Sequence, residues 1–271
     1  MYRSIWKTFN RSVCTLNYFN KRNVLYFRST GFRFGNFIIC GCRIFEIKDS
    51  DYLSIQFISA GPFGQKYSLK LTSEDIERRS AGDRGGLSGI NILNISGREF
   101  VKVTPIMDIC RSEPEIGTPV AIIACGTNTD RPYLKSGMIS SKLQIRGKDM
   151  ILIETSFEKG NCGAPLLNAE SGKLIGILAD GFTPSSFKYK TLKPIIDENI
   201  NRLKQASGKW TFGDIDPAQV LAANQYMIKH LAREFSLNSH SCSGLAVPAS
   251  RLMLYLRQLE HNEFFAEVKK N

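Results

Sequence analysis

Glu158-Lys159-Gly160-Asn161-Cys162-Gly163-Ala164-Pro165-Leu166-Leu167-Asn168 is the stretch on which the reading of this chain turns. A short polar run with two glycines gives way to an apolar run that opens on proline. Glycine at 160 and 163 lets the backbone take turns that a side chain forbids. The stretch therefore reads as a tight turn that presents the Cys162 thiol between two strands. In such a turn the N–H groups of Gly160 and Cys162 can converge on one point, which suits the oxyanion of a tetrahedral acyl intermediate. A thiol attacks only as thiolate, so it needs a base or a positive neighbour. Taken alone, the turn fits a buried structural cysteine better, because unpaired cysteines are commonly core residues.

The sequence around this turn reads as strands. Phe37-Ile38-Ile39, Tyr52 to Phe57, Ile90 to Ile95, Val120 to Ala124, Met150 to Ile153 and Leu174 to Leu178 are short apolar or alternating runs, punctuated by Gly, Asn, Ser and Pro. Phe32 and Phe34 fit one face of a further strand. Many short strands with Gly-rich turns imply a sandwich or barrel. Ser80 to Gly89 reads as a loop by composition. After Asp180 the texture changes. Thr191 to Ala206 reads as an amphipathic helix, and Asp216-Pro217 opens a second one, to about Phe235, as an N-cap followed by proline at the first helical position. Gly244 to Pro248 reads as a short strand. A closing helix from about Ala249 to Leu259 has Leu252, Leu256 and Leu259 on one face.

The segment Gly160 to Leu167, with Ser171-Gly172-Lys173-Leu174-Ile175-Gly176-Ile177 after it, resembles the GNSGGPL…GI block of trypsin-like peptidases, above all the HtrA/Deg group. Glu115 to Ile123 resembles the opening of that family's second barrel. Ser136-Gly137-Met138-Ile139-Ser140 resembles its SGIVS strand, Ile153-Glu154-Thr155 its IQT strand, and Gly244 to Pro248 its GFAIP strand. Within that group the chain also resembles the peroxisomal leader-peptide-processing branch. The resemblance implies an all-β fold of two six-stranded barrels. The division it implies is a basic N-terminal extension over 1–30, a first barrel over 31–114, a second over 115–260 with a helical insertion at about 183–241, and a tail over 261–271. It also implies a first specificity pocket lined from around Ser156 and from Ser243-Gly244-Leu245, suited to a small or apolar side chain.

The first barrel departs from the family's pattern. Gly35 to Phe45 resembles the strand that carries the catalytic histidine, and it puts Arg43 at the histidine position. Gly89 to Ile95 resembles the strand that carries the catalytic aspartate, and it puts Gly89 there. The three histidines, His230, His240 and His261, all follow Cys162. Asp49, Asp51 and Asp83 remain as carboxylates, but without a histidine they have nothing to orient. An arginine stays protonated at any working pH, so Arg43 cannot accept the thiol proton, although it can lower the thiol pKa if close. The expected function is thus an impaired or inactive peptidase homologue that binds a peptide or a partner protein. Cys162 holds the nucleophile position, and the Gly160 and Cys162 amides are the oxyanion donors. The alternative is an active cysteine endopeptidase whose base is His240 or His230, carried back by the helical insertion.

Bulk properties bound these readings. The formal net charge is +11, which allows weak attraction to nucleic acid, but no nucleic-acid-binding pattern accompanies it. Arg3, Lys7, Arg11, Lys21, Arg22, Arg28, Arg33 and Arg43 precede the first acidic residue, Glu46. Such a start resembles a mitochondrial transit peptide or a basic first strand. The family resemblance points to the peroxisome instead. No apolar run is long enough to span a bilayer. Seven cysteines without a secretory signal read as reduced intracellular thiols. Cys40-Gly41-Cys42 lacks the spacing and the histidines of a zinc site, and neither metal nor cofactor is expected.

Overall fold

The computed structural model describes residues 1–41, 51–58, 66–81, 90–95, 99–127, 129, 131–145, 147–181, 184–238 and 241–257. For residues 159, 184–188, 190, 235–238, 241 and 242 it describes the backbone alone. The chain forms two compact units, Met1–Phe182 with Cys242–Asn271, and Thr183–Ser241.

The first unit opens with helix α1 (Tyr2–Phe9), followed by strands β1 (Val13–Phe19), β2 (Leu25–Phe34), β3 (Phe37–Gly41), β4 (Tyr52–Ile58) and β5 (Lys66–Leu71). Helix α2 (Ser73–Arg79) and β6 (Ile90–Asn94) complete a six-stranded sheet of order β5-β4-β1-β2-β3-β6. Strands β7 (Pro119–Cys125), β8 (Pro132–Ile145), β9 (Lys148–Phe157), β10 (Pro165–Asn168), β11 (Leu174–Gly181) and β12 (Ser241–Pro248) close into a barrel. Helix α5, over 249–257, ends the described chain.

Two six-stranded systems were expected, and both are present. Only the second set of strands closes among the described residues. In the first, β5 and β6 are edges, and α2 lies between them in the chain. Ile76 of α2 is buried in the core of the sheet, and Ser80 at its end bridges Leu93 of β6. A capping box holds α2 in place: the Thr72 side chain accepts from the Asp75 N–H, and the Asp75 carboxylate accepts from the Thr72 N–H.

Alternation along the strands builds three cores. Cys14, Leu16 and Tyr18 of β1 join Ile38, Leu53, Ile55, Phe57 and Leu93 inside the curled sheet. Val120, Ile122 and Ala124 of β7 join Ile139, Ile153, Leu166 and Ile175 inside the barrel. The intervening residues Ala121, Ile123 and Cys125 face a third core with Val13, Phe32, Phe34, Ile39 and Leu167. That third core joins sheet to barrel. It explains why the β7 run is apolar without alternation, since both of its faces are buried.

Residues 1–30, expected as an extension, hold α1, β1 and the start of β2. Tyr2, Ile5, Trp6 and Phe9 fall at i, i+3, i+4 and i+7, one face of a helix. Ile5 is buried in the joining core, with the other three packed against it. β1 sits mid-sheet, paired antiparallel to β2 and to β4. Arg33, one of the basic front residues, is buried and donates to the carbonyl oxygens of Gly35, Phe100 and Val103, which anchors the segment leading out of the sheet. Leu252 and Leu256 of α5 are buried in the joining core, as the spacing anticipated, while Leu259 lies outside the described residues.

The second unit is an antiparallel pair, α3 (Pro184–Ala206) and α4 (Pro217–Asn238). α3 begins earlier than the expected Thr191, which places Pro194 inside it. Asp216 caps α4 as expected, accepting from the Ala218 N–H at 2.9 Å, and it also accepts from the Ser207 hydroxyl and the Gly208 N–H. Across the pair, Lys229 bonds Asp197. Among the described residues no helix is long and apolar enough to cross a membrane.

Because β1 has a hydrogen-bonded strand on each side, removing it splits the sheet. Deletion of residues 1–19 is expected to abolish cooperative urea unfolding of the chain, followed by circular dichroism. A truncated chain that unfolds with an unchanged midpoint would mean that α1 and β1 are appendages.

Candidate functional site around Cys162

The turn that holds Cys162 is pinned between sheet and barrel. A 3-10 turn covers Lys159–Asn161, closed by the Asn161 N–H donating to the Glu158 carbonyl. Gly160 is pressed against the end of β7: a Cβ there would lie 2.8 Å from the Thr127 nitrogen and 2.9 Å from the Cys125 carbonyl oxygen. Gly163 has φ +87°, a left-handed conformation that glycine takes without cost. A Cβ on it would stand 2.1 Å from the Thr30 carbonyl oxygen and 2.7 Å from the Gly41 nitrogen. Here the backbone of the turn touches the backbone of the sheet.

Thr30 of β2 joins the pieces. Its N–H donates to the Cys162 carbonyl at 3.1 Å, and its hydroxyl donates to the Gly160 carbonyl at 2.6 Å. The same hydroxyl oxygen accepts from the Cys125 N–H at 2.8 Å. Thr30 is fully buried, so each bond is made without competing water. One β-branched side chain thus ties β2, β7 and the turn together.

Behind the turn lies a polar network. Asn161, buried, donates to the Tyr133 phenol oxygen at 2.9 Å, and its amide oxygen accepts from the Glu158 N–H at 2.9 Å and from Lys135 Nζ at 3.0 Å. Lys135 also bonds the Ser156 carbonyl at 3.0 Å and Glu158 at 3.2 Å. The Tyr133 phenol is pushed up to about 12, chiefly by burial, and the Glu158 charge adds to this against the bond from Asn161.

Cys162 itself is half-buried and is not in a disulfide. It packs against the barrel core. Its Cβ lies 3.3 Å from where a Cβ on Gly41 would stand, so the thiol residue sits at the end of β3. Gly41 is paired with Ile90 of β6. Of the other expected site residues, Arg43, Gly89, His240, His261, Asp49 and Asp83 lie outside the described residues. His230 is exposed on α4, and Asp51 precedes β4. Ser156 is exposed on β9, and the neighbouring Phe157 ring is packed onto Gly244. Among the described residues no cluster of His, Cys, Asp or Glu could hold a metal ion. A cavity of about 520 Å³ lies elsewhere, lined by residues such as Arg111, Lys142, Asp149 and Arg251 and by none of the turn.

Thr30, Tyr133 and Lys135 were not among the expected site residues. No local pattern marks them, because each acts through a strand remote in sequence from the turn. Asn161 stood in view inside the motif, and only its partners were missing.

Two outcomes follow. Gly163→Ala combines a disfavoured φ with a backbone collision, and is expected to cost about 3 kcal/mol in urea unfolding; an unchanged midpoint would sink the docking argument. For Tyr133 the raised folded value favours the neutral phenol. Stability from this group is therefore intact below about pH 10 and is lost as pH rises toward about 12. Wild type is expected to lose stability more steeply than Tyr133→Phe over that window.

Residues 59–177 match the family profile described as a trypsin-like peptidase domain. The matched range includes Cys162 and position 89, and it begins after position 43. No curated protein matches the chain. Among solved structures, one described as the crystal structure of Deg5 shares 17% identity, covers 65% of this chain and 83% of its own, and superposes with a TM-score of 0.49. The matched range runs from the end of β4 into β11 and takes in most of the closed barrel together with the turn. The turn that presents Cys162 falls within the stretch that matches a trypsin-like peptidase domain.

Proposed function

We propose that this protein is a non-hydrolytic peptidase homologue of the HtrA/Deg kind, which uses its cleft to hold a peptide or a partner protein. The observation that carries this is the register at the thiol. Cys162 lies against Gly41, and Gly41 pairs with Ile90. In the sequence, position 43 follows Gly41 by two residues and position 89 precedes Ile90 by one. The residues there are Arg43 and Gly89. The first histidine in the chain is His230. Acyl transfer from a thiol needs an acceptor for the thiol proton and a donor for the leaving amine. A guanidinium does neither. The Gly160 and Cys162 amides would remain as anchors for a carbonyl.

The second reading, a cysteine endopeptidase with a relocated base, draws on one feature. His240 immediately precedes β12, which pairs with β11 beside the Phe157 ring. A single experiment separates the two. Denatured casein and a mixed peptide library are incubated with wild type, Cys162→Ala and His240→Ala, and products are read by mass spectrometry. The expected result is no cleavage above the Cys162→Ala background. Cleavage lost in both variants would establish the relocated base and overturn the non-hydrolytic reading.

A further inference from the structure

The cavity away from the thiol lies where three parts of the chain meet. These are the segment 110–114 that leads from the sheet to the barrel, the β8–β9 hairpin, and the first turn of α5. The segment is fixed in place: the Cys110 N–H donates to the Leu174 carbonyl at 2.8 Å, and the Leu174 N–H donates to the Asp108 carbonyl at 2.8 Å. Pro114, Leu143, Met150, Ile151, Ile175 and Pro248 give the cavity apolar walls. Its volume, about 520 Å³, is in the range that holds a small organic molecule. Three cationic side chains, Arg111, Lys142 and Arg251, and two carboxylates, Glu113 and Asp149, also line it. Lys142 bonds Glu113 at 3.0 Å and Arg251 bonds Asp149 at 3.4 Å. Among the described residues Arg111 has no ion pair, so the cavity keeps one unmatched positive charge.

We propose that this cavity binds a small monocarboxylate with an apolar body, and that Arg111 takes the carboxylate. The proposal goes beyond the reading of Cys162 and does not depend on it, since the turn contributes nothing to the cavity. The apolar walls suit the body of the ligand, and the charge count sets its head. A guanidinium matches a carboxylate as a fork of two donors. Ser250 and Arg251 belong to the first turn of α5, and the positive end of a helix favours an anion in the same space. A dianion would have to draw Lys142 from Glu113 or Arg251 from Asp149. A neutral ligand would cover Arg111 without replacing its water. An occupant would touch the connecting segment, the barrel and α5 at once, so binding should stabilise the folded chain.

The test uses the full chain, with octanoate as the probe and Cys110 as the reporter, because its half-buried thiol lines the cavity. Iodoacetamide alkylates the thiolate: an S–C bond forms and iodide leaves. Labelled peptides are quantified by mass spectrometry over a range of octanoate concentrations, and Cys162 in the same sample is the control. Octanoate is expected to slow labelling of Cys110, to leave Cys162 unchanged and to raise the Tm. Arg111 is exposed, so its replacement leaves the core intact. In Arg111→Ala the octanoate concentration that gives half-maximal protection is expected to rise about tenfold, as the loss of one charge-assisted hydrogen bond implies. Octanol, which lacks the charge, and acetate, which lacks the apolar body, should each protect less than octanoate. Octyl phosphate, with its second charge, should bind no more tightly than octanoate. Absence of protection by octanoate, equal protection in wild type and Arg111→Ala, or protection by octanol equal to that by octanoate overturns the proposal. Tighter binding of octyl phosphate overturns the assignment of a single-charged head.

Discussion

The contact of Gly163 with Thr30 and Gly41 is the constraint around which the rest of the molecule is arranged. A Cβ at 163 would overlap the Thr30 carbonyl oxygen at 2.1 Å. Backbone packs on backbone there, at a distance that only glycine permits. The turn therefore cannot move away from the sheet without losing the Thr30 N–H bond to Cys162, nor closer without collision. Position, more than chemistry, is what this contact delivers. It places the thiol at the end of β3, in the seam between the two strand systems.

The same seam is closed by apolar packing. β7 contributes Val120, Ile122 and Ala124 to the barrel interior and Ala121, Ile123 and Cys125 to the core shared with the sheet. A strand buried on both faces cannot slip by one residue without exchanging two cores. Thr30 reads that fixed register through the Cys125 N–H and carries it to the Gly160 carbonyl. On the far side of the turn, Asn161 holds Tyr133, Lys135 and Glu158 in one network. Burial makes this network costly to break and keeps the Tyr133 phenol neutral far into the alkaline range.

The turn that carries Cys162 is held by backbone contact and by hydrogen bonds from Thr30. On the proposed reading, presenting the thiol would be separable from moving its proton, because backbone and core do the first and side chains from the other strand system would be needed for the second.

Much of this was legible in the chain as written. The motif from Gly160 to Leu167 identified the turn, and the apolar runs located β3, β4, β6, β7, β9 and β11, because both signals are local: glycine pattern and period-two burial. The order of the histidines was decided by sequence alone. For the start of the chain, the leader and first-strand readings both stayed open because its basic, acid-free composition hid the Tyr2, Ile5, Trp6 and Phe9 face of α1 and the half-polar β1, whose polar residues are buried only by strands from elsewhere. Thr30, Lys135 and Phe157 gained their places only through tertiary structure, since each works on residues far from it in sequence, and no local pattern records a contact that folding alone creates.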